Sequence, residues 1–357
     1  MKAIDKPWLV AFLIAALAAA AGCGDRVDRS RLSPELNVYC WEEYFSPSVI
    51  TEFEDEFGVH VKVMVYQDDK ILPQELKDRP DRFDLVVPSN AVVEELIERN
   101  LLARLDRAAL PNFREVEERF RGLPYDVTND YSIPYMWGTT GIAVNTRQVK
   151  EKADSWKILW DERYRGKISM LNNPDEVIGA ALKLLGYRLG TLQPAELAAA
   201  GEALRRQRPL LDGYLDPQTL KQKMLLEKIW IAQCYSGDAM RLNRDDPAIV
   251  YIIPREGASL WVDNFCVPVN ARNAYTAAVF INYCLRPKVS AQNANFVRSA
   301  NTNLGARRFT DPGIANNPSL YLPAELMERC EFMSRPAPGP VEDQRNEIWR
   351  GLAGGGS

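Results

Sequence analysis

Residues 37–47 read NVYCWEEYFSP. A short apolar lead, Val38 to Cys40, runs into a Trp, two carboxylates and a Tyr: Trp41, Glu42, Glu43 and Tyr44. Aromatic faces attract cations. A carboxylate supplies the acceptor that an ammonium needs once it leaves water. The end of a strand in an α/β protein is a common ligand position, so this run has the chemistry to grip an organic cation. Catalysis has less to draw on. The one histidine, His60, lies in the alternating stretch VHVKVMVY and reads as a strand residue. No Gly-x-Ser-x-Gly, phosphate-binding loop or Cys–His pair is evident. Paired acids could serve glycoside hydrolysis, but that chemistry also needs a sugar-shaped site.

The elements that must position such a site follow from periodicity and punctuation. NVYCW reads as a buried strand. SPSVITEFEDEFG reads as a helix with Ser46 at the N-cap, Pro47 at its first position and Gly58 past its end. VHVKVMVY alternates with period two, ILPQELKDRP is a short helix, and FDLVVP is a short strand before a helix over 91–99. Strands separated by helices point to βαβ units and a parallel sheet. Between Leu123 and Asn145 the chain is rich in Pro, Gly and aromatics and holds two strand-like pieces, YSIPYMW and TGIAVN. A second βα region follows: KISML, helices over 175–189 and 193–206, IWIAQCY, a helix from Gly237, and AIVYIIP. GASLWVDNFCVPVN then reads as another crossing segment, followed by helices over 271–284 and 288–297. Two α/β regions joined by two crossings predict two lobes around a cleft, a common ligand site that closes by hinge motion.

The chain has 357 residues, 46% hydrophobic and 26% charged, with a net charge of −4, enough for two lobes and a sizeable core. No basic tract stands out, which argues against a nucleic-acid partner. Lys2 and Lys6 precede the apolar run WLVAFLIAALAAAAG, a secretory signal pattern too short for a stable membrane span. Ala20, Ala21 and Gly22 directly before Cys23 resemble a bacterial lipoprotein processing site, which would make Cys23 the lipidated N-terminus. Residues 24–35 are polar and suit a flexible tether. Cys40, Cys234, Cys266, Cys284 and Cys330 hold no CxxC pair, so neither a zinc nor a redox motif is supported, and no metal or cofactor is expected. Several sit in apolar, strand-like contexts and read as buried thiols. Export permits disulfides, but the sequence does not choose the pairs.

Five ordered blocks carry a resemblance: NVYCWEEYFSPSVITEFEDEFGVHV, FDLVVPSN, NDYSIPYMWGTTGIAVN, EVIGAALKLLGY and LWVDNFCVPVNA. Together they resemble the periplasmic spermidine/putrescine-binding proteins of ABC importers, from about Leu36 to past Ala306. The resemblance implies a bilobal type II periplasmic-binding-protein fold. Lobe 1 is expected over 36–138 plus 262–310, and lobe 2 over 139–261 plus 311–352. It also implies a monomeric, non-catalytic periplasmic receptor that delivers a polyamine to ABC permease subunits, held at the membrane by its lipid. The family's ligand positions fall on Trp41, Glu42, Glu43, Tyr44, Ser89, Glu176, Tyr235, Asp238, Trp261 and Asp263. The physics suits that set: acids from separate segments meet separate ammonium groups, and aromatic faces wall the methylenes. Taken singly, Glu176 reads as a helix N-terminal acid, Ser89 as a helix cap and Trp261 as core. Tyr135 and Trp137 read as hinge-side packing.

The departures from the pattern bear on the ligand. Glu42 stands where the family has Thr or Ser, Tyr235 where Trp is usual, and Asn173 where spermidine-type members carry Asp. Ala91 and Ser299 replace aromatics, and the C-terminal Gln position falls at Met333. Asp238 present with no acid at 173 tilts the expectation toward putrescine over spermidine. The rival readings are a receptor for another cationic or metal-bound solute on the same fold, and a ligand sensor docking on a membrane partner.

Overall fold

The computed structural model describes residues 27–333 and 339–353. The signal segment, Cys23 and the first residues of the expected tether lie outside the described residues. From Val27 onward the polar segment rests on the fold. Asp28 N–H donates to the Tyr275 hydroxyl at 2.9 Å, and Ser33 N–H donates to Thr276 Oγ1 at 2.9 Å. The Arg31 guanidinium lies 3.9 Å from the centre of the Tyr275 ring. No described helix is long and apolar enough to cross a membrane.

The first region follows the sequence pattern. Strand β1 (Glu35–Trp41) leads to α1 (Pro47–Phe57), which buries Val49, Phe53 and Phe57 as one stripe at i, i+4, i+8. Ser46 occupies the N-cap, but its hydroxyl pairs with Ser48 at 2.9 Å and makes no capping bond. Strand β2 (His60–Tyr66), helix α2 (Leu72–Asp78), strand β3 (Leu85–Val86) and helix α3 (Asn90–Glu98) complete it. β1 pairs in parallel with both β2 and β3. His60 is exposed at the strand edge, with Nδ1 2.7 Å from a Glu54 carboxylate oxygen.

The next segment departs from the sequence reading. YSIPYMW and TGIAVN are not two strands but one, β4 (Ser132–Asn145), and all of its residues are buried. Gly138 breaks the pattern in sequence because the Trp261 ring lies against it. A Cβ there would come within 2.4 Å of the indole, so only glycine fits beneath the ring.

The second region runs β5 (Ile168–Leu171), α4 (Pro174–Leu184), α5 (Pro194–Gln207), β6 (Leu211–Leu215), α6 (Pro217–Leu225), β7 (Ile231–Tyr235), α7 (Ser236–Asp245) and β8 (Ile249–Ile252). Helix α4 ends short of Leu189 because Gly186 turns left-handed, at φ 79°, two residues beyond it. The β6–α6 pair carried no clear sequence signal. β5 pairs in parallel with β6 and β7, mirroring the first triplet.

Strand β9 (Ser259–Cys266) runs antiparallel to β4, and these two neighbours join the halves. The strand order is β2-β1-β3-β9-β4-β7-β5-β6. Beneath the crossing, Tyr135 packs on Phe265 at 4.2 Å and Phe45 on Tyr135 at 5.9 Å between ring centres. Tyr135 and Trp137 are thus core, as their hinge-side reading implied.

Helices α8 (Ala274–Cys284) and α9 (Pro287–Val297) lead to the short strand β10 (Ala300–Asn301), which pairs with β4. Then follow α10 (Pro312–Ala315), α11 (Ala324–Met327), β11 (Glu331–Phe332) and α12 (Pro340–Ala353). The expected lobe boundary at 310/311 is not a clean break. Tyr321 packs on Trp137 and on Arg307 from the first half, while Asn317 reaches Met240 on α7. Helix α12 returns to the second half, where Trp349 packs on Tyr214. All five described cysteines are buried and none forms a disulfide. Burial pushes the Cys40 thiol up to about 12, so it stays protonated and inert.

Candidate functional site

The parallel strands of both halves point their C-terminal ends at one cleft of about 440 Å³. Trp41, Glu42, Glu43 and Tyr44 follow β1 into it, and Ser89 enters just after β3. Glu176 comes from the first turn of α4, Tyr235 ends β7, and Asp238 lies in the first turn of α7. Trp261 and Asp263 project from the crossing strand β9, two residues apart and so on one face. All ten candidate residues therefore line the same cleft. So do the substituted positions Ala91, Asn173, Ser299 and Met333.

Nine carboxylates line the cleft against three cations, Lys70, Lys221 and Arg241. The acids divide by partner. Asp263 and Glu176 are each only 6% exposed, and neither has a basic partner among the described residues. Burial drives the Asp263 carboxyl up to about 8, while the Tyr44 hydroxyl, which donates to it, pulls the other way. Burial likewise drives Glu176 up to about 7, against the opposing bond from the Ser259 hydroxyl at 2.6 Å. Both are carboxyls taken from water with too few donors to hold a full charge.

A third buried acid, Asp69, was not legible as a site residue. It stands just after β2, accepts a hydrogen bond from Ser89 N–H at 2.8 Å, and is also raised by burial. Its signal was positional: QDDK directly follows a strand end that faces the cleft. Ser89 sits at the N-cap of α3 with no side-chain capping bond, so its backbone serves Asp69.

Three of the other cleft acids, Asp238, Glu43 and Asp175, already have cations. Asp238, read from sequence as an open ligand acid, is paired within the chain. Lys221 Nζ lies 2.9 Å from its Oδ1, and an Arg241 nitrogen lies 3.7 Å away. Arg241 also meets Glu43 at 3.3 Å, joining the two halves. Glu43 is exposed and holds φ 53°, a left-handed conformation costing about 1–2 kcal/mol for a non-glycine residue. Glu42 does face the cleft, where the Gln218 amide donates to it at 3.3 Å. Lys70 reaches Asp175 at 2.8 Å, a second ion pair across the opening.

The walls are aromatic. Trp41 packs edge-on against Tyr66 at 4.8 Å, and Tyr235 edge-on against Trp261 at 6.2 Å. The Tyr235 hydroxyl accepts from Asn173 Nδ2 at 3.1 Å, so Asn173 orients a wall where an acid was looked for. Tyr44 packs on Tyr135, which fixes its ring beneath Asp263. Among the described residues no three His, Cys, Asp or Glu side chains stand in metal-holding geometry. Buried acids without cations, between flat apolar faces, make a site for a flexible organic cation.

A family model described as bacterial extracellular solute-binding protein matches residues 48–320. The chain is similar to the spermidine/putrescine-binding periplasmic protein of Escherichia coli (strain K12), at 32% identity over 301 residues, covering 84% of this chain and 86% of that one. It is also similar to the putrescine-binding periplasmic protein SpuD of Pseudomonas aeruginosa, at 30% identity over 348 residues, covering 92% and 93% of the two chains. Among solved structures, the spermidine/putrescine ABC transporter substrate-binding protein PotD from Streptococcus pneumoniae superposes with a TM-score of 0.81 at 26% identity, covering 90% of this chain and 99% of that one.

Proposed function

We propose, for a chain that belongs to the family of bacterial extracellular solute-binding proteins, that its cleft captures a polyamine for delivery to an ABC importer. The family is one of receptors, not enzymes, and its fold here is the type II periplasmic-binding-protein fold. One observation carries the ligand reading: Asp263 and Glu176 are buried carboxyls without basic partners, set in an acidic cleft between aromatic walls. Each takes one ammonium group. Trp41, Tyr44, Tyr235 and Trp261 cover the methylenes, and their faces add about 0.5–2 kcal/mol per cation–π contact. Ser89 steadies the entry loop, and Glu42, Glu43 and Asp238 shape the field around the ligand.

The ligand is putrescine in preference to spermidine, on the pattern of Asp238 with Asn173 in place of an acid. The lobes are residues 36–138 with 262–310 and residues 139–261 with 311–352, the last segment bridging both as described. The protein works as a monomer outside the cytoplasm, anchored by a lipid on Cys23, and meets permease subunits in its closed form. Loss of the aromatic walls at Ala91 and Ser299 favours, as a second reading, a cationic solute of another shape. The same closed surface would serve a membrane sensor.

Isothermal titration of the purified protein with putrescine, cadaverine, spermidine and spermine tests the reading. One-to-one binding of an amine, weakened a hundredfold or more by Asp263→Asn, is expected. No binding across the series by a folded protein overturns it.

A further inference from the structure

Resting on the polyamine reading, we propose that Lys221 is a specificity-determining residue. Its side chain occupies Asp238 as a built-in substitute for one arm of a longer polyamine, and so restricts the cleft to a short diamine. The observations concern which acids are free. Asp263 and Glu176 have no cation beside them among the described residues, whereas Asp238 has Lys221 at 2.9 Å and Arg241 at 3.7 Å. Lys221 and Asp238 are 15% and 16% exposed, so the pair is shielded from bulk water and lines the cleft. The two residues sit on adjacent helices that follow the ends of β6 and β7, so the strand-end geometry that places ligand acids also places this lysine among them.

The chemistry of the match is specific. A lysine side chain is four methylenes ending in an ammonium. The aminobutyl arm of spermidine is also four methylenes ending in an ammonium. An incoming third ammonium at Asp238 must expel the lysine ammonium, which then stands desolvated without its partner. A diamine that uses only Asp263 and Glu176 leaves the pair intact. Lys221 therefore discriminates by occupying Asp238, a repulsive element set against longer ligands that reach toward α6 and α7. Arg241 is engaged with Glu43 on the other half and lies 3.7 Å from the same Asp238 oxygen that Lys221 meets.

Titration of putrescine and spermidine into the parent protein and Lys221→Ala tests this. The parent is expected to prefer putrescine. Lys221→Ala is expected to shift the affinity ratio tenfold or more toward spermidine, and the double variant Lys221→Ala with Asp238→Asn to lose that gain. If Lys221→Ala fails to fold, Lys221→Met, which keeps the apolar stem, is expected to shift the ratio in the same direction. A ratio that moves less than tenfold, or a gain that survives Asp238→Asn, overturns the role of Lys221 while leaving the amine receptor standing. Binding of no amine by parent or variant overturns both.

Discussion

The Tyr44 hydroxyl donates to the Asp263 carboxyl across 219 residues of chain. One partner follows the first strand and the other lies on the crossing strand, so the bond ties the first candidate motif to the last. Burial, then the nearby Asp263 charge, raise the Tyr44 pKa, so the phenol stays a donor. Tyr44→Phe leaves the carboxyl with one donor fewer. The expected result is amine affinity about tenfold weaker and stability lower by about 1–2 kcal/mol, read by calorimetry and urea unfolding. If both hold at parental values, the bond contributes nothing.

Proton release should accompany binding. Burial holds Asp263 at about 8 and Glu176 at about 7, against ordinary values of 3.8 and 4.5. Between those limits the folded, ligand-free chain binds more protons than the unfolded chain, so its stability falls as pH rises through that window. An ammonium beside each carboxylate reverses the shift. Amine affinity should therefore rise from pH 6 to pH 8, and the thermal stabilisation given by the amine should rise with it. Calorimetry near pH 6.5 in buffers of different ionisation enthalpy counts the protons expelled. Heats independent of buffer would contradict the assignment.

The Lys70–Asp175 pair closes the opening at 2.8 Å, with Arg345 on the other carboxylate oxygen at 3.5 Å. Burial pushes Asp175 up, but the two cations outweigh it and hold the carboxyl below its ordinary value. Lys70 and Asp175 are 46% and 30% exposed, so solvent screens the pair to about 1 kcal/mol at most. Lys70→Met should weaken amine binding by no more than about fivefold, with the difference shrinking between 20 and 300 mM salt, both about as expected from screening. A loss above a hundredfold would instead place Lys70 in ligand recognition.

Gly138→Ala tests the seat of Trp261. The added carbon would stand 2.4 Å from the indole and 2.5 Å from the Ser236 hydroxyl, so ring or strand must shift. Overpacking of this kind costs about 1–3 kcal/mol. The melting temperature and the amine affinity should both fall. A lower melting temperature with parental affinity would show that the ring position does not matter for the ligand.

The first βαβ unit was plain in the sequence because Pro47, Gly58 and the period-two run that follows punctuate it, and the strand-end rule then located Trp41 to Tyr44. Glu176 and Asp263 could be placed in one cleft only through the ordered blocks, since each alone looks like a helix-start acid or a core neighbour. What stayed hidden has physical reasons. LDGYL, with Asp212 and Gly213, is a poor strand former, so β6 was missed and with it the helix that carries Lys221. Gly138 split the reading of β4, although the Trp261 ring demands a glycine there. Arg241 stands three residues after Asp238 on α7, a spacing the chain shows, but the closer partner Lys221 arrives from α6, which spacing along the chain does not reveal.

The halves are joined by β4 and β9, neighbours whose ladder matches Gly138 with Trp261 and Met136 with Asp263. A two-stranded ribbon bends and twists readily, but it cannot slide without breaking every rung, and the irregularity between Pro134 and Met136 pins its register further. An opening that kept this ladder would be a rotation about an axis running through the cleft wall that carries Trp261 and Asp263. On that geometry the cleft would act as a protractor, in which a solute of the wrong length fixes the wrong angle between the halves.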